Sequence, residues 1–600
     1  MRPGQIIVLA TPVFFLLIGI EWWVGRVRAR RGSGHDSYRL ADAINSIGLG
    51  MLSQVLAVFS KLLAIGIYGA VFGAVALFPD TDFWTRWYGW LLALVFYDFC
   101  YYWLHRMGHE SAVLWAAHVV HHQSQHYNLS TALRQTSSGV LLGWLFYLPM
   151  ALAGVPPLVF GVVALVDLLY QFWVHTEQIG RLGWFDRWFC APSNHRVHHA
   201  VNDRYLDRNY GGILLVWDRL FGTYQEEDEA CVYGTRSPLQ SWNPLWANLE
   251  VYRALAHDAW HARRWSDKLR VFLKPPGWRP DDVAARFPKA PFDIARVERF
   301  DPPVGPGVRA AAVLQFVALL AGATFFLWQS DTMPMAEAIV WLAALTAAIW
   351  ALGPLLEGRL GLLELALIDA AALATASAAL DVQWLHLACK PLAMLLAVAL
   401  AWQRSRAWPK AGGFTAWLLA ALVASLAGDV LLMMAPGFFV PGLVCFLLAH
   451  LAYIALFRVG VGLWPRRLPL AVTLAIGAAM YAFLWAGGLP PALRLPVGLY
   501  VTVIACMAAQ AFGRAAVLRD PASRWVAAGS ALFMLSDALL ATNRFVLPLP
   551  LASLWVLATY YAAQILIVRW VRPAASRVAR DAPAGQARQA TPRGFSGTLQ

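Results

Sequence analysis

The sequence predicts an all-α polytopic membrane protein, with a histidine-rich helical-bundle domain followed by a second multi-span helical domain. Three observations predict it. Apolar runs of about 18 residues or more, long enough to cross a bilayer, recur from end to end. Hydrophobic residues make up 59% of the chain and charged residues only 14%, with a mean hydropathy of +0.52. Ten of the fifteen histidines fall between positions 105 and 199.

The net charge of +13 does not point to nucleic acid, because the basic residues sit in short loops between apolar runs. That is the positive-inside pattern of membrane topology. The six cysteines (100, 190, 231, 389, 445 and 506) are scattered, with no CxxC and no disulfide framework.

The first span is expected over about 5–24, followed by Arg26, Arg28, Arg30 and Arg31, which place that end in the cytoplasm. Because its basic flank follows it, we read it as a retained span and not as a cleaved signal. Residues 44–78 read as one tilted or broken span going out, and the PDTD turn at 79–82 marks the far side. Residues 83–104 return and end at His105. A hairpin over 137–153 and 156–175 folds at Gly154 to Pro157. Residues 207–227 are too short and charged to span, and read as an interfacial helix or cap. The proline-rich, charged segment 275–306 reads as a linker between domains 1–274 and 307–572, and 573–600 as a disordered tail. About ten spans are expected after 307. The expected placement is multi-pass, in a bacterial inner membrane, with the histidines on the cytoplasmic side.

The histidines come as HRMGH (His105, His109), HVVHH (His118, His121, His122), WVHTE (His175) and HRVHH (His195, His198, His199). On a helix, residues three and four apart share a face. His105 therefore pairs with His109, and His118 with either His121 or His122. A single HxxxH arises by chance on helices, but three such groups near the ends of apolar segments point to metal. Neutral imidazole suits iron, zinc, copper and nickel, and nine imidazoles exceed what one ion takes. Two ions at the mouth of a helical bundle suit oxygen activation, and a lipid could present a chain carbon there from the bilayer. A zinc hydrolase would need only three ligands and a water per ion.

These motifs, with YDFCYYWLHRMGHE, NLSTALRQ (128–135) and NYGGILLVWDRLFGTY, resemble the fatty acid hydroxylase/sterol desaturase superfamily, and within it the alkylglycerol monooxygenases. The resemblance covers about 40–280. It implies a di-iron centre on the nine histidines, a tetrahydropterin reductant, molecular oxygen, and oxidation of the ether-bonded carbon of an alkylglycerol to release a fatty aldehyde. It also implies a lipid substrate from the bilayer and a reductase or pterin-recycling partner. A sterol, fatty acyl or carotenoid hydroxylase or desaturase is the nearest alternative. A metal transporter, the alternative of another class, would place its ligands within opposed spans.

Glu110 follows His109 directly, and either serves the site by orienting an imidazole or moving a proton, or is an ordinary interface carboxylate. Asp98, seven residues before His105 on the same helical face, is paired or functional, since an ionisable group that deep is costly. His126 is expected to be a bystander. Asn128, Arg134 and Gln135 either line the site or serve as caps.

In the second half, Glu364, Asp369, Lys390, Asp429, His450 and Asp537 are the intramembrane polar residues. Asp429 and Asp537 could act as an acid/base pair, with Lys390 and His450 as further candidates. KPLAMLL, SLAGDVLLM, FLLAHLAYIALF, FMLSDALLATNRF and YYAAQ resemble the lysoplasmalogenase-like membrane family. That resemblance implies vinyl-ether hydrolysis with Asp429 and Asp537 as the catalytic carboxylates.

Overall fold

The computed structural model describes residues 3–408, 412–434 and 436–573. The tail expected to be disordered lies, from 574 on, outside the described residues. Among the described residues twelve helices are long and apolar enough to cross a membrane. The pairing of extended backbone there is limited to isolated bridges, Phe189 with Leu214 and Ala200 with Tyr233. The chain forms two compact units, Met1–Leu365 and Ala366–Gln600.

In the first unit, α1 is Pro3–Arg30 and α2 is Leu40–Val75. With 36 residues, α2 is about 54 Å long, well beyond the ~30 Å hydrocarbon thickness. The run expected to be tilted or broken is therefore one continuous helix. A short helix, Thr81–Thr85, is capped by Asp80, whose carboxylate accepts from the Asp82 and Phe83 amides. α3, Trp87–Glu110, delivers His105 and His109 near its end. The first arm of the expected hairpin is not one helix. It breaks into Val140–Gly143, a 3-10 turn Trp144–Tyr147 and Leu148–Ala153. Gly154 ends it at φ +99°, where a Cβ would lie 2.1 Å from the Phe78 carbonyl oxygen. α4, Pro157–Trp173, returns to His175.

α5, Pro192–His199, carries the last three cluster histidines, and α6 is Pro244–His261. The expected interfacial helix at 207–227 is mostly loop, with only Val216–Leu220 helical. Its backbone is instead held by side chains. Asp218 accepts from the amides of Tyr210 and Gly211 and from the Thr223 hydroxyl, and those bonds compete with helix formation.

α7, Pro306–Gln329, and α8, Met335–Leu356, pack on α2 within the first unit. The segment 275–306 therefore lies inside that unit, whereas the sequence suggested a linker between domains. It is anchored there. Arg279 pairs with Asp258 at 2.7 and 3.1 Å, and Gln125 bonds the backbone of Glu298 and Phe300. Proline and charge made a docked strap look like a tether.

The second unit begins within α9, Leu362–Ala379, and continues with α10, Gln383–Ser405; α11, Gly412–Met433; α12, Phe439–Arg458; α13, Arg467–Ala486; α14, Pro491–Leu518; α15, Pro521–Phe545; and α16, Ala552–Trp570. Short connections make α10 and α11, α11 and α12, α13 and α14, α14 and α15, and α15 and α16 neighbours. Contacts of α12 with α14 and of α10 with α16 close them into a bundle.

Candidate functional site

The nine imidazoles converge in two groups. His105, His109, His118, His122 and His198 form one, and His121, His175, His195 and His199 the other. Within each group one nitrogen per ring lies within 4.8 Å of all the rest. The ambiguity at His118 resolves in favour of His122. Neighbouring residues on a helix point about 100° apart, so each HH pair must split between the groups. His121 and His122 do so, as do His198 and His199.

The backbone sets which ring nitrogen faces inward. Nδ1 of His105, His121, His175 and His198 lies 2.8, 2.9, 2.8 and 3.0 Å from the carbonyl oxygens of Tyr210, Arg134, Gln171 and Arg208. A carbonyl only accepts, so each Nδ1 carries the proton and each Nε2 presents a lone pair. The Nε2 atoms of His105, His109 and His198 are buried without a hydrogen-bond partner. In the other group, Nε2 of His175 stands 3.1 Å from those of His121 and His195, and Nε2 of His195 stands 3.2 Å from that of His199. Two ligands about 2.1 Å from one ion at a right angle are about 3 Å apart, so the donors fit a first-row transition metal. Burial, and then the neighbouring imidazoles, hold His118, His122, His195, His198 and His199 well below the ordinary imidazole range. Burial and Arg134 bring His121 down to about 4. These six rings are thus neutral, the form that binds metal.

The other sequence candidates have different places. Glu110 pairs with Arg106 at 2.8 Å on the half-exposed side of α3 and joins neither group. Asp98 accepts from the amides of Ile213 and Leu214 and from the Trp217 indole, and so pins the loop whose Tyr210 carbonyl holds His105. Gly212 permits that approach, since a Cβ there would sit 2.7 Å from Asp167 and 3.1 Å from Asp98. Arg134 is buried and bonds the Val120 carbonyl and Asn45, bracing the HVVHH segment. Asn128 caps Leu129–Ala132, Gln135 bonds the Ala132 carbonyl, and His126 joins neither group.

Sequence reasoning missed Glu21. It is buried in α1 and accepts from the Leu129 amide, the Thr176 hydroxyl and the Tyr38 hydroxyl, which ties the segments flanking His122 and His175 together. A lone carboxylate inside the first apolar run was the available signal. Asp42, also missed, accepts from Ser124 two residues after His122.

The second unit has a partly open cavity of about 810 Å³ lined mainly by apolar side chains. Lys390, Asp429, Tyr560, Tyr500 and Asp537 line it too. Asp429 meets Lys390 at 3.3 Å and accepts from the Tyr560 hydroxyl at 2.5 Å. Asp537 accepts from the Tyr500 hydroxyl at 2.5 Å. Having donated there, Tyr500 accepts from Nε2 of the fully buried His450 at 2.9 Å. The four sequence candidates thus form two carboxylate clusters, with Nε2 of His450 also 3.6 Å from the Asp537 carboxylate.

The model of the fatty acid hydroxylase family matches residues 90–223, and that of the YhhN family matches residues 385–571. Alkylglycerol monooxygenase of Danio rerio is 34% identical over 366 residues, covering 60% of this chain and 79% of the relative. The chain belongs to the alkylglycerol monooxygenase family. The human alkylglycerol monooxygenase is 39% identical over 273 residues, 45% of this chain and 59% of the relative, so the match spans little more than half of that protein. Lysoplasmalogenase TMEM86B of Homo sapiens is 34% identical over 187 residues, 31% of this chain and 75% of the relative. No solved structure matches. In this family member all nine cluster histidines fall within the fatty acid hydroxylase match, and both carboxylate clusters within the YhhN match.

Proposed function

We propose that the chain is an iron-dependent membrane monooxygenase that oxidises the ether-bonded carbon of alkylglycerols, fused to a unit that hydrolyses vinyl-ether lipids. The observation that carries the first part is the pair of converging imidazole groups, in which the Nδ1 protons of His105, His121, His175 and His198 are committed to backbone carbonyls. His105, His109, His118, His122 and His198 would hold one iron, and His121, His175, His195 and His199 the other. Bound there, iron supplies activation of molecular oxygen for insertion into an unactivated C–H bond, which side chains alone cannot supply. The oxidation needs two further electrons, and a tetrahydropterin with its recycling system is the reductant that the family resemblance implies.

The chain's own residues orient and shield. The Tyr210, Arg134, Gln171 and Arg208 carbonyls hold the rings of His105, His121, His175 and His198 in one tautomer. Asp98, Glu21 and Arg134 hold the segments that present them. The hydroxylated carbon is a hemiacetal, which splits into a fatty aldehyde and a free glycerol hydroxyl. On the positive-inside pattern, both imidazole groups face the cytoplasm, where a soluble reductant is available.

In the second unit, one carboxylic acid would protonate the vinyl-ether double bond while the other carboxylate takes a proton from water. Water adds across the activated ether, and the product again splits into aldehyde and alcohol. The test is aldehyde release by the purified protein from 1-O-alkylglycerol with oxygen and reduced pterin, and separately from a lysoplasmalogen without them. Aldehyde from neither would reject the proposal.

A further inference from the structure

We propose that Arg544 is the headgroup-reading residue of the second unit, selecting vinyl-ether lipids that carry a phosphate. This rests on the hydrolase reading of that unit. Arg544 lies near the end of α15 and lines the cavity that also holds Asp429 and Asp537. Its guanidinium stacks 3.9 Å above the ring of Phe439, another cavity residue. Stacking fixes the plane and leaves the N–H edges open. Among the described residues no carboxylate pairs with it, whereas Lys390 is committed to Asp429. Arg544 is exposed, so it can meet a charged headgroup, and its position over the Phe439 ring holds it on the wall of a cavity lined mainly by apolar side chains.

The spacing suits a lysophospholipid. Asp537 and Arg544 are seven residues apart on α15, which is two turns and about 10 Å along one face. In a glycerolipid the ether oxygen and the phosphorus are separated by the three glycerol carbons and one oxygen, a distance flexible side chains at that separation can bracket. The apolar lining takes the chain, the carboxylate pair faces the ether, and Arg544 meets the phosphate through charge-assisted hydrogen bonds. A neutral vinyl-ether glycerol would fill the same cavity without using Arg544.

The test compares wild type, Arg544→Gln, Arg544→Lys and the control Arg494→Gln. Arg494 stacks on Trp485 and does not line the cavity. Two vinyl-ether substrates are used, a 1-alkenyl lysophosphatidylcholine and the matching phosphate-free 1-alkenylglycerol. Affinity for a fluorescent lysophosphatidylcholine is measured alongside in the full-length protein. Arg544→Gln should raise KM for the phosphate-bearing substrate and weaken the probe about tenfold to a hundredfold, the range of a hydrogen bond to a charged group. kcat, and KM for the phosphate-free lipid, should stay within about twofold, and Arg544→Lys should recover part of the loss. Equal probe affinity in wild type and Arg544→Gln, or an equal loss on both substrates, would overturn the proposal. An Arg544-dependent affinity with no hydrolysis would support the headgroup site and reject the hydrolase reading instead.

Discussion

At the scale of single residues, the centre is two groups of converging imidazoles, four of which have their outer nitrogen tied to a main-chain carbonyl. His121 and His198 belong to different groups, so their losses should be separable. Each alanine variant should bind about one iron fewer than the roughly two expected from the donor count. Both should lose alkylglycerol oxidation, and metal analysis beside aldehyde release checks this. Asp98→Ala makes a different prediction. It strands two amides and an indole N–H around a buried loop, costing about 2–4 kcal/mol and lowering the melting temperature. It should also reduce iron occupancy, because the Tyr210 carbonyl that holds His105 moves with the loop. The spacing of the histidines was enough to mark their gathering, because i and i+4 residues share a face. Their division between groups needed the third dimension, since His118 could pair with either neighbour. The supports were less visible still. Asp98 and Arg134 act through segments distant in sequence, and Glu110, next to a cluster histidine, turns instead to Arg106.

At the scale of elements, the helices followed from hydrophobic length, while the breaks followed from contacts that length does not report. Gly154 is one such point. Gly154→Ala would place a side chain in the left-handed region and against the Phe78 carbonyl, costing about 1–3 kcal/mol or more. Gly161, in the middle of α4 with open space around its Cβ position, is the control. Its alanine variant should be neutral or slightly stabilising, and thermal unfolding of the two in detergent distinguishes the cases. The strap at 275–306 taught the same lesson in reverse. Its composition resembles a tether, but Arg279 finds the Asp258 carboxylate and Gln125 finds its backbone. Ion pairs between residues about twenty apart leave no mark on composition.

At the scale of the whole molecule, positive loops and span order imply that Ser237 lies in the cytoplasm and the turn at Thr81 outside. Both residues are exposed on the protein. In a cysteine-free background, Thr81→Cys should react with an impermeant thiol reagent in intact cells, and Ser237→Cys only after the membrane is opened. The reverse pattern would invert the topology. The two compact units should also fail independently. Asp429→Asn should abolish vinyl-ether hydrolysis and leave alkylglycerol oxidation largely intact, and His121→Ala should do the opposite. The central claim is that the first unit inserts an oxygen atom from molecular oxygen at the ether carbon. It is tested most directly by supplying isotopically labelled oxygen with 1-O-alkylglycerol and reduced pterin, and reducing the aldehyde to an alcohol as it forms. Labelled fatty alcohol and unlabelled glycerol are expected; aldehyde carrying only water-derived oxygen, or no aldehyde from an iron-loaded preparation, would rule out oxygen insertion at that carbon.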